Sequence, residues 1–117
     1  MYKLFVLSAI LIVTLFSTAA KADRCDISGI WNHSSKPAKL LVDLSNAEIS
    51  VYSHENNEKA IGLIVLKNLK LGSTSSSWNA QMYSAAEDSF VDVQIKSKRC
   101  NQLMVSFNGE EVLGLFR

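Results

Sequence analysis

Residues 103–117 read LMVSFNGEEVLGLFR and carry the strongest local structural signal in the chain. Leu103, Val105 and Phe107 recur at every second position, which is the period of a half-buried β-strand. Asn108-Gly109 follows, and a second apolar run comes after it. Asn-Gly is the pair that best tolerates the positive φ of both central residues in a type I′ turn. This stretch therefore predicts a β-hairpin.

Similar short apolar runs, separated by turn residues, continue back toward the N-terminus. Strands are predicted at residues 27–31, 40–44, 49–51, 60–71, 78–83, 91–95, 103–107 and 112–117. About eight strands at this spacing are typical of an all-β domain. Their short connections predict an antiparallel meander, which removes its exposed edges by closing into a barrel. A barrel of eight strands has room either for packed side chains or for one small ligand.

Two segments of this pattern are less clear than the rest. Residues 60–71 place Ile61, Ile64, Val65 and Leu69 on one helical stripe, so a helix is the alternative there. Gly62 and the β-branched side chains favour a strand. The sequence GSTSSS at residues 72–77 predicts a flexible loop.

Composition limits the function classes. Two of the 12 basic side chains lie in the first 22 residues, so residues 23–117 hold ten basic and eleven acidic side chains, a net charge of −1. This balance lacks the positive field of a nucleic-acid-binding protein. One Pro and ample aliphatic residues exclude a disordered chain, and the length allows a single domain over residues 23–117.

The N-terminus has the form of a signal peptide. Lys3 precedes an apolar run over residues 4–16, and Ala20-Lys21-Ala22 matches a small-x-small cleavage site. We predict that residues 1–22 are removed and that the exported chain begins at Asp23 without stable membrane insertion. An uncleaved N-terminal anchor is the alternative, although the apolar run is shorter than the roughly 20 residues that span a bilayer.

The two cysteines, Cys25 and Cys100, lie near the two ends of this domain. In the oxidising compartment that a signal peptide implies, they predict a disulfide. A pair of buried free thiols is the alternative. Their spacing does not fit a zinc site, because zinc sites need further Cys or His ligands and the chain has only two histidines.

A family resemblance appears at both ends of the strand pattern. Gly29-Ile30-Trp31 on the first strand and Arg117 on the last resemble the lipocalin and wider calycin pattern. In that pattern the Trp packs across the closed end of the barrel against the basic residue. The resemblance therefore implies structural roles for Gly29, Trp31 and Arg117, and a lipocalin-like barrel.

The middle of the chain narrows the resemblance. Residues 62–70, 78–83 and 103–105, followed by Arg117, are similar in order to a small exported bacterial family with a lipocalin-like barrel, known as a domain of unknown function. This chain departs from the family at Ala80, at residues 84–88 and at residues 115–117, and so resembles a divergent member. The resemblance implies a periplasmic or secreted bacterial protein.

Few residues carry recognisable chemistry. Trp78, Met82, Tyr83 and Phe90 are the candidate lining of an apolar ligand site, with core packing as the alternative. His33 and His54 are interpreted as solvated loop residues, because no third metal ligand stands at a recognisable spacing. The basic residues 96–99 are either an anion-binding patch or a solvated turn. No motif indicates an enzyme, a metal site or a cofactor.

Two functional hypotheses remain. The first is a non-enzymatic binding barrel that holds a small apolar or amphipathic ligand. The second is a protein-interaction module of the cell envelope, such as an accessory protein or an inhibitor of a hydrolase such as lysozyme, which rests on fold-level analogy alone. A ligand barrel needs an apolar cavity with one open mouth, whereas an inhibitor needs a rigid protruding loop.

Overall fold

The computed structural model describes residues 24–117, and the predicted signal peptide and its cleavage site lie outside them. These residues form eight β-strands and one short 3₁₀-helix, which confirms the all-β prediction. The strands are β1 (Gly29–His33), β2 (Ala38–Asp43), β3 (Glu48–His54), β4 (Ile64–Leu71), β5 (Ser77–Ser84), β6 (Ser89–Lys98), β7 (Gln102–Phe107) and β8 (Glu110–Phe116). In this part of the chain, no helix is long and apolar enough to span a membrane.

The strands form one closed barrel in chain order, each antiparallel to its neighbours. β1 returns to β8, with Asn32 facing Phe116 and His33 facing Leu115, so the predicted meander barrel is confirmed. Successive strands run in opposite directions, so the connections after odd-numbered strands share one end, which we call the mouth. The connections after even-numbered strands share the other end, which we call the base, together with the N-terminal arm, residues 24–28.

The turn that joins β7 to β8 has the predicted conformation. Asn108 has φ 51° and Gly109 has φ 83°, the two positive values that a type I′ turn requires. Glycine adopts the second value without steric cost because it has no Cβ. The right-handed twist of the two strands then continues through the turn.

Alternation along the strands fills the barrel with apolar side chains. Val93 and Ile95 on β6, for example, are buried, whereas Asp92, Gln94 and Lys96 are exposed. The largest fully buried side chains are Trp31, Ile27, Ile49, Leu66, Ile95, Leu103, Val42 and Val105. Burying each aliphatic side chain of this size contributes about 1.5–3 kcal/mol, so this interior is the main source of stability.

Three predicted segments differ in the structure. The first strand begins at Gly29, and Ile27 lies before it as a buried residue of the N-terminal arm. Residues 60–71 are neither a helix nor one strand, because a 3₁₀-helix (Glu58–Ala60) and a turn precede β4. Gly62 allows this turn through its φ of 89°, and its N–H donates to the Val51 carbonyl at 2.8 Å.

The third difference is the β4–β5 connection at the base. It is a short hydrogen-bonded turn rather than the predicted flexible loop. The Gly72 N–H donates to the Ser77 carbonyl at 2.9 Å. The Arg24 guanidinium also donates to the carbonyls of Thr74 at 2.9 Å and Ser77 at 3.2 Å, so the N-terminal arm holds this turn in place.

Candidate functional site

The base of the barrel is closed around Trp31, whose side chain is fully buried. Its indole Nε1–H donates to the Ile27 carbonyl at 2.9 Å, which satisfies the only polar group of the ring. The Arg117 guanidinium carbon lies 4.1 Å from the ring centroid. The Trp–Arg contact that the resemblance implies is therefore present in this chain.

The Arg117 side chain also donates to the N-terminal arm and to the β6–β7 turn at the base. Its Nη2 donates to the Asp26 carbonyl at 2.6 Å, its Nη1 to the Ser28 carbonyl at 3.1 Å, and its Nε to the Cys100 carbonyl at 3.3 Å. The Asp26 carboxylate accepts hydrogen bonds from the Ser28 hydroxyl and N–H, which lower the pKa of Asp26. At the base, Arg117 therefore makes its hydrogen bonds with backbone carbonyls of the protein itself, and Asp26 makes its hydrogen bonds with Ser28.

The disulfide strengthens the same end. Cys25 and Cys100 are bonded, with their Cα atoms 5.5 Å apart, which confirms the predicted pairing. It links the N-terminal arm to the β6–β7 turn. The basic residues 96–99 lead into this turn, so they lie at the base and away from the mouth.

The four predicted ligand-lining residues do not share one site. Trp78 is buried in the half of the barrel near the base, and the Arg24 guanidinium carbon lies 5.2 Å from its ring centroid. Met82 lies on the same inward face of β5 but near the mouth, where it packs against the core. Tyr83 and Phe90 lie on the outer face, so they do not line the interior.

Tyr83 and Phe90 instead stabilise the β5–β6 hairpin from outside. Their rings meet edge to face at a centroid distance of 5.7 Å, and the Lys67 ammonium lies 4.0 Å from the Phe90 ring centroid. The Tyr83 hydroxyl donates to the Asp88 carboxylate at 2.7 Å, and this hydrogen bond raises the pKa of Tyr83. The contacts explain both aromatic residues without a ligand.

The candidate site is an apolar cleft of about 430 Å³ at the mouth. Its apolar lining comes from five strands and the β3–β4 connection. These side chains include Leu40, Val51, Leu63, Val65, Met82 and Leu113. Leu40, Val51 and Leu113 also belong to the buried core, so the floor of the cleft is the top of the packed interior. The cleft is open at the mouth, and its volume falls in the usual range for small-molecule sites, about 300–1,000 Å³.

A second depression, of about 480 Å³, lies on the outer face of β5, β6 and β7. Its lining is largely polar, and includes Asn79, Asp92 and Gln94. The polar side chains nearby already bind one another, since the Gln81 amide donates to Asp92 at 3.3 Å. The mouth cleft is the better candidate because apolar surface with a few polar groups is typical of ligand sites.

The polar groups of the mouth cleft include both histidines. His33 ends β1 and His54 ends β3, and both are half-buried. The Nδ1 atom of His33 accepts the N–H of Ser35 at 3.0 Å and of Lys36 at 3.2 Å. Burial lowers the pKa of His33, and the positive charge of Lys36 and the neighbouring His54 lower it further.

His54 is held in the same way, because its Nδ1 accepts the Asn56 N–H at 3.2 Å. An Nδ1 atom that accepts a backbone proton has no free lone pair for a metal ion. Within residues 24–117, no group of three or more His, Cys, Asp or Glu side chains could hold a metal. Glu55 and Glu58, the carboxylates nearest in sequence to His54, do not line the cleft.

The sequence contained a signal for this pair of histidines that the solvated-loop interpretation missed. In a meander barrel every connection after an odd-numbered strand lies at the same end, so the ends of the first and third strands both lie there, one strand apart. His33 and His54 occupy those two positions.

No protein-family model, no curated protein and no solved structure matches this chain.

Proposed function

We propose that this chain is an exported, non-enzymatic binding barrel whose mouth cleft holds a small apolar or amphipathic molecule. The observation that carries the proposal is the cleft itself, where apolar side chains form the floor and polar residues, among them His33, Lys36 and His54, contribute to the lining. Such a site removes an apolar group from water and fixes its orientation through a few polar contacts.

Export is part of the proposal. The Cys25–Cys100 disulfide favours an oxidising compartment, because thiols are kept reduced in the cytosol. The apolar run and the small-x-small pattern of the first 22 residues favour secretion or a periplasmic location.

The absence of catalysis is also part of the proposal, and it is supported by the hydrogen bonds of the histidines. A general base of the Ser–His type is oriented by a third group, usually a carboxylate on the far nitrogen of the ring. In the described residues, the Nδ1 atoms of His33 and His54 accept backbone N–H groups instead. The rings are therefore suited to holding their loops and donating through Nε2.

The proposal is tested with an uncharged fluorescent probe, 1-N-phenylnaphthylamine, and two leucine variants. Leu63 lies at the mouth just before β4, and Leu71 ends β4 at the base; both are exposed. We expect Leu63→Ser to weaken probe binding about fivefold, the equivalent of roughly 1 kcal/mol of lost apolar contact. Leu71→Ser is the matched control and leaves binding unchanged. Equal affinity for both variants would contradict the site.

A protein-interaction module is the second candidate, and an outer row in which three of four side chains are apolar favours it. Ile30 on β1 faces Leu41 on β2, Leu41 faces Ser50 on β3, and Ser50 faces Ile64 on β4. Ile30 and Ile64 are 43% and 42% exposed. Native mass spectrometry of the protein from its own envelope separates the two: a stoichiometric protein favours the module, and a small molecule favours the cleft.

A further inference from the structure

We infer that the mouth cleft selects a single-chain amphiphile with an anionic head group, held at the rim by Lys36, His33 and His54 while its apolar chain lies on the floor. This inference rests on the proposed function, and it adds the chemical class of the ligand. Three observations support it: the charge of the cleft lining, the nitrogen that holds the proton in each imidazole ring, and the position of polar groups at the rim above apolar groups at the floor.

The charged side chains that line the cleft are all basic, although the domain as a whole carries both acidic and basic side chains. Residues 23–117 have a net charge of −1, so an average surface patch would include carboxylates. The cleft lining includes the Lys36 ammonium and two imidazoles, and no Asp or Glu. The Lys36 ammonium attracts an anion, and the lining itself offers a cationic head group no carboxylate.

The hydrogen bonds of the two imidazoles fix which nitrogen donates. A neutral imidazole has one N–H and one lone pair, and each Nδ1 here uses its lone pair to accept a backbone N–H. The ring proton of the neutral form is therefore on Nε2 in both residues. The rim thus offers two neutral N–H donors beside one ammonium, the donor set that a carboxylate or phosphate accepts.

The depth of each group gives the ligand its orientation. Leu40, Val51 and Leu113 at the floor are only 3%, 8% and 7% exposed. Lys36 lies in the β1–β2 connection and is exposed. A head group at the rim thus stays near water while the chain is removed from it, which is the lowest-cost arrangement for an amphiphile.

The test compares three ligands with one chain length and different head groups. Dodecanoate, dodecanol and dodecyltrimethylammonium each displace 1-N-phenylnaphthylamine from the full mature chain, below their aggregation concentrations. We expect dodecanoate to bind most tightly and dodecyltrimethylammonium most weakly. Lys36→Glu should reverse this order. Inorganic phosphate is the fourth arm and should not displace the probe, because it has no chain.

A matched variant separates the rim charge from the net charge. Lys39 is exposed on β2, between buried Ala38 and Leu40, so its side chain lies on the outer face. Lys36→Gln should weaken dodecanoate about threefold, the size expected for one solvent-exposed charge contact. Lys39→Gln removes the same charge and should change the affinity for dodecanoate by less than about 1.5-fold.

The possible results separate this inference from the proposed function. If the three ligands bind equally, or if Lys36→Glu leaves their order unchanged, the head-group inference is wrong and the apolar site stands. If inorganic phosphate displaces the probe as effectively as dodecanoate does, the inference of an amphiphilic ligand is wrong, because the apolar chain then adds nothing to the affinity. If the unaltered protein binds neither the probe nor any of the three ligands, the proposed function fails as well.

Discussion

Arg117 joins the last strand to the first at the base, through its side chain and its backbone. Its guanidinium lies over Trp31 and donates to carbonyls of the N-terminal arm, and its backbone N–H donates to the Asn101 carbonyl at 3.0 Å. The β1–β8 seam has few facing residues of its own, with Asn32 and His33 opposite Phe116 and Leu115. One side chain thus supplements a short strand pairing.

We expect Arg117→Ala to lower the free energy of unfolding by about 1–2 kcal/mol, because it removes the contact with Trp31 and several hydrogen bonds. Urea denaturation should show a lower midpoint with an unchanged m-value. Probe binding at the mouth should survive in the folded fraction. A variant as stable as the unaltered protein that has lost binding would make Arg117 a site residue and the base the working end.

His33 gives a pH dependence with a definite sign. Burial and the charges of Lys36 and His54 hold its pKa below 6.5 in the folded protein, whereas the unfolded chain returns to the ordinary value. The unfolded state then binds more protons than the folded state. The contribution of His33 to the free energy of unfolding is therefore present above pH 6.5 and is lost as the pH falls through the pKa of the folded protein.

The urea midpoint should therefore decline between about pH 7.5 and pH 5, and His33→Asn should reduce that decline. Asn is the suitable replacement because its side-chain oxygen can accept the same backbone N–H bonds without titrating. An unchanged pH slope in His33→Asn would contradict this role.

Among the structural elements, the N-terminal arm contributes most to closing the base. Within five residues it provides the Arg24 contact with Trp78, the Cys25 disulfide and the buried Ile27 side chain. The arm has no regular secondary structure, so its position depends on these contacts. The disulfide is the strongest of them in the chain-entropy description, because it closes a loop with a sequence separation of 75.

Replacing both cysteines by serine should lower the free energy of unfolding by about 4.5 kcal/mol, from the loop-closure entropy of the unfolded chain. That is a large part of the roughly 5–15 kcal/mol that holds a small domain together. Calorimetry of the double variant against the oxidised protein measures it. A melting temperature that does not change would show that the arm is held by its other contacts.

The β7–β8 turn is a second element with a clear test. Gly109→Ala places a Cβ at a φ of 83° and should cost about 1–2 kcal/mol. Asn108→Gly keeps both positive φ values available and is the control, with an expected change of less than about 1 kcal/mol. Equal destabilisation by the two variants would mean that the turn conformation is not what limits stability.

The sequence predicted the features that depend on local patterns. The β7–β8 hairpin follows from Asn108-Gly109, and the inward faces of β5 and β6 follow from alternation. Alternation also shows why two candidate residues were misplaced, since Tyr83 and Phe90 each stand next to an inward residue and so must face outward. The 3₁₀ turn before β4 and the ordered β4–β5 connection could not be predicted, because contacts with Val51 and Arg24 create them.

At the scale of the whole molecule, the two ends of the barrel differ in chemistry. The base carries the disulfide and the two cation–π contacts to tryptophan. The arginines of these contacts, Arg24 and Arg117, donate their hydrogen bonds to backbone carbonyls. The mouth carries a cleft of about 430 Å³ whose lining includes two imidazoles and one ammonium group. We therefore propose that the base stabilises the barrel and that ligand binding takes place at the mouth.

Methyl NMR tests this division directly, because residues 23–117 contain two methionines in different environments. Met82 lines the mouth cleft, whereas Met104 is 37% exposed on the outer face of β7. The protein labelled with ¹³C-methyl methionine is titrated with dodecanoate. We expect a saturable shift of the Met82 methyl signal with no change at Met104. A Met82 signal that stays in place at saturating ligand, or a shift confined to Met104, would contradict a binding site at the mouth.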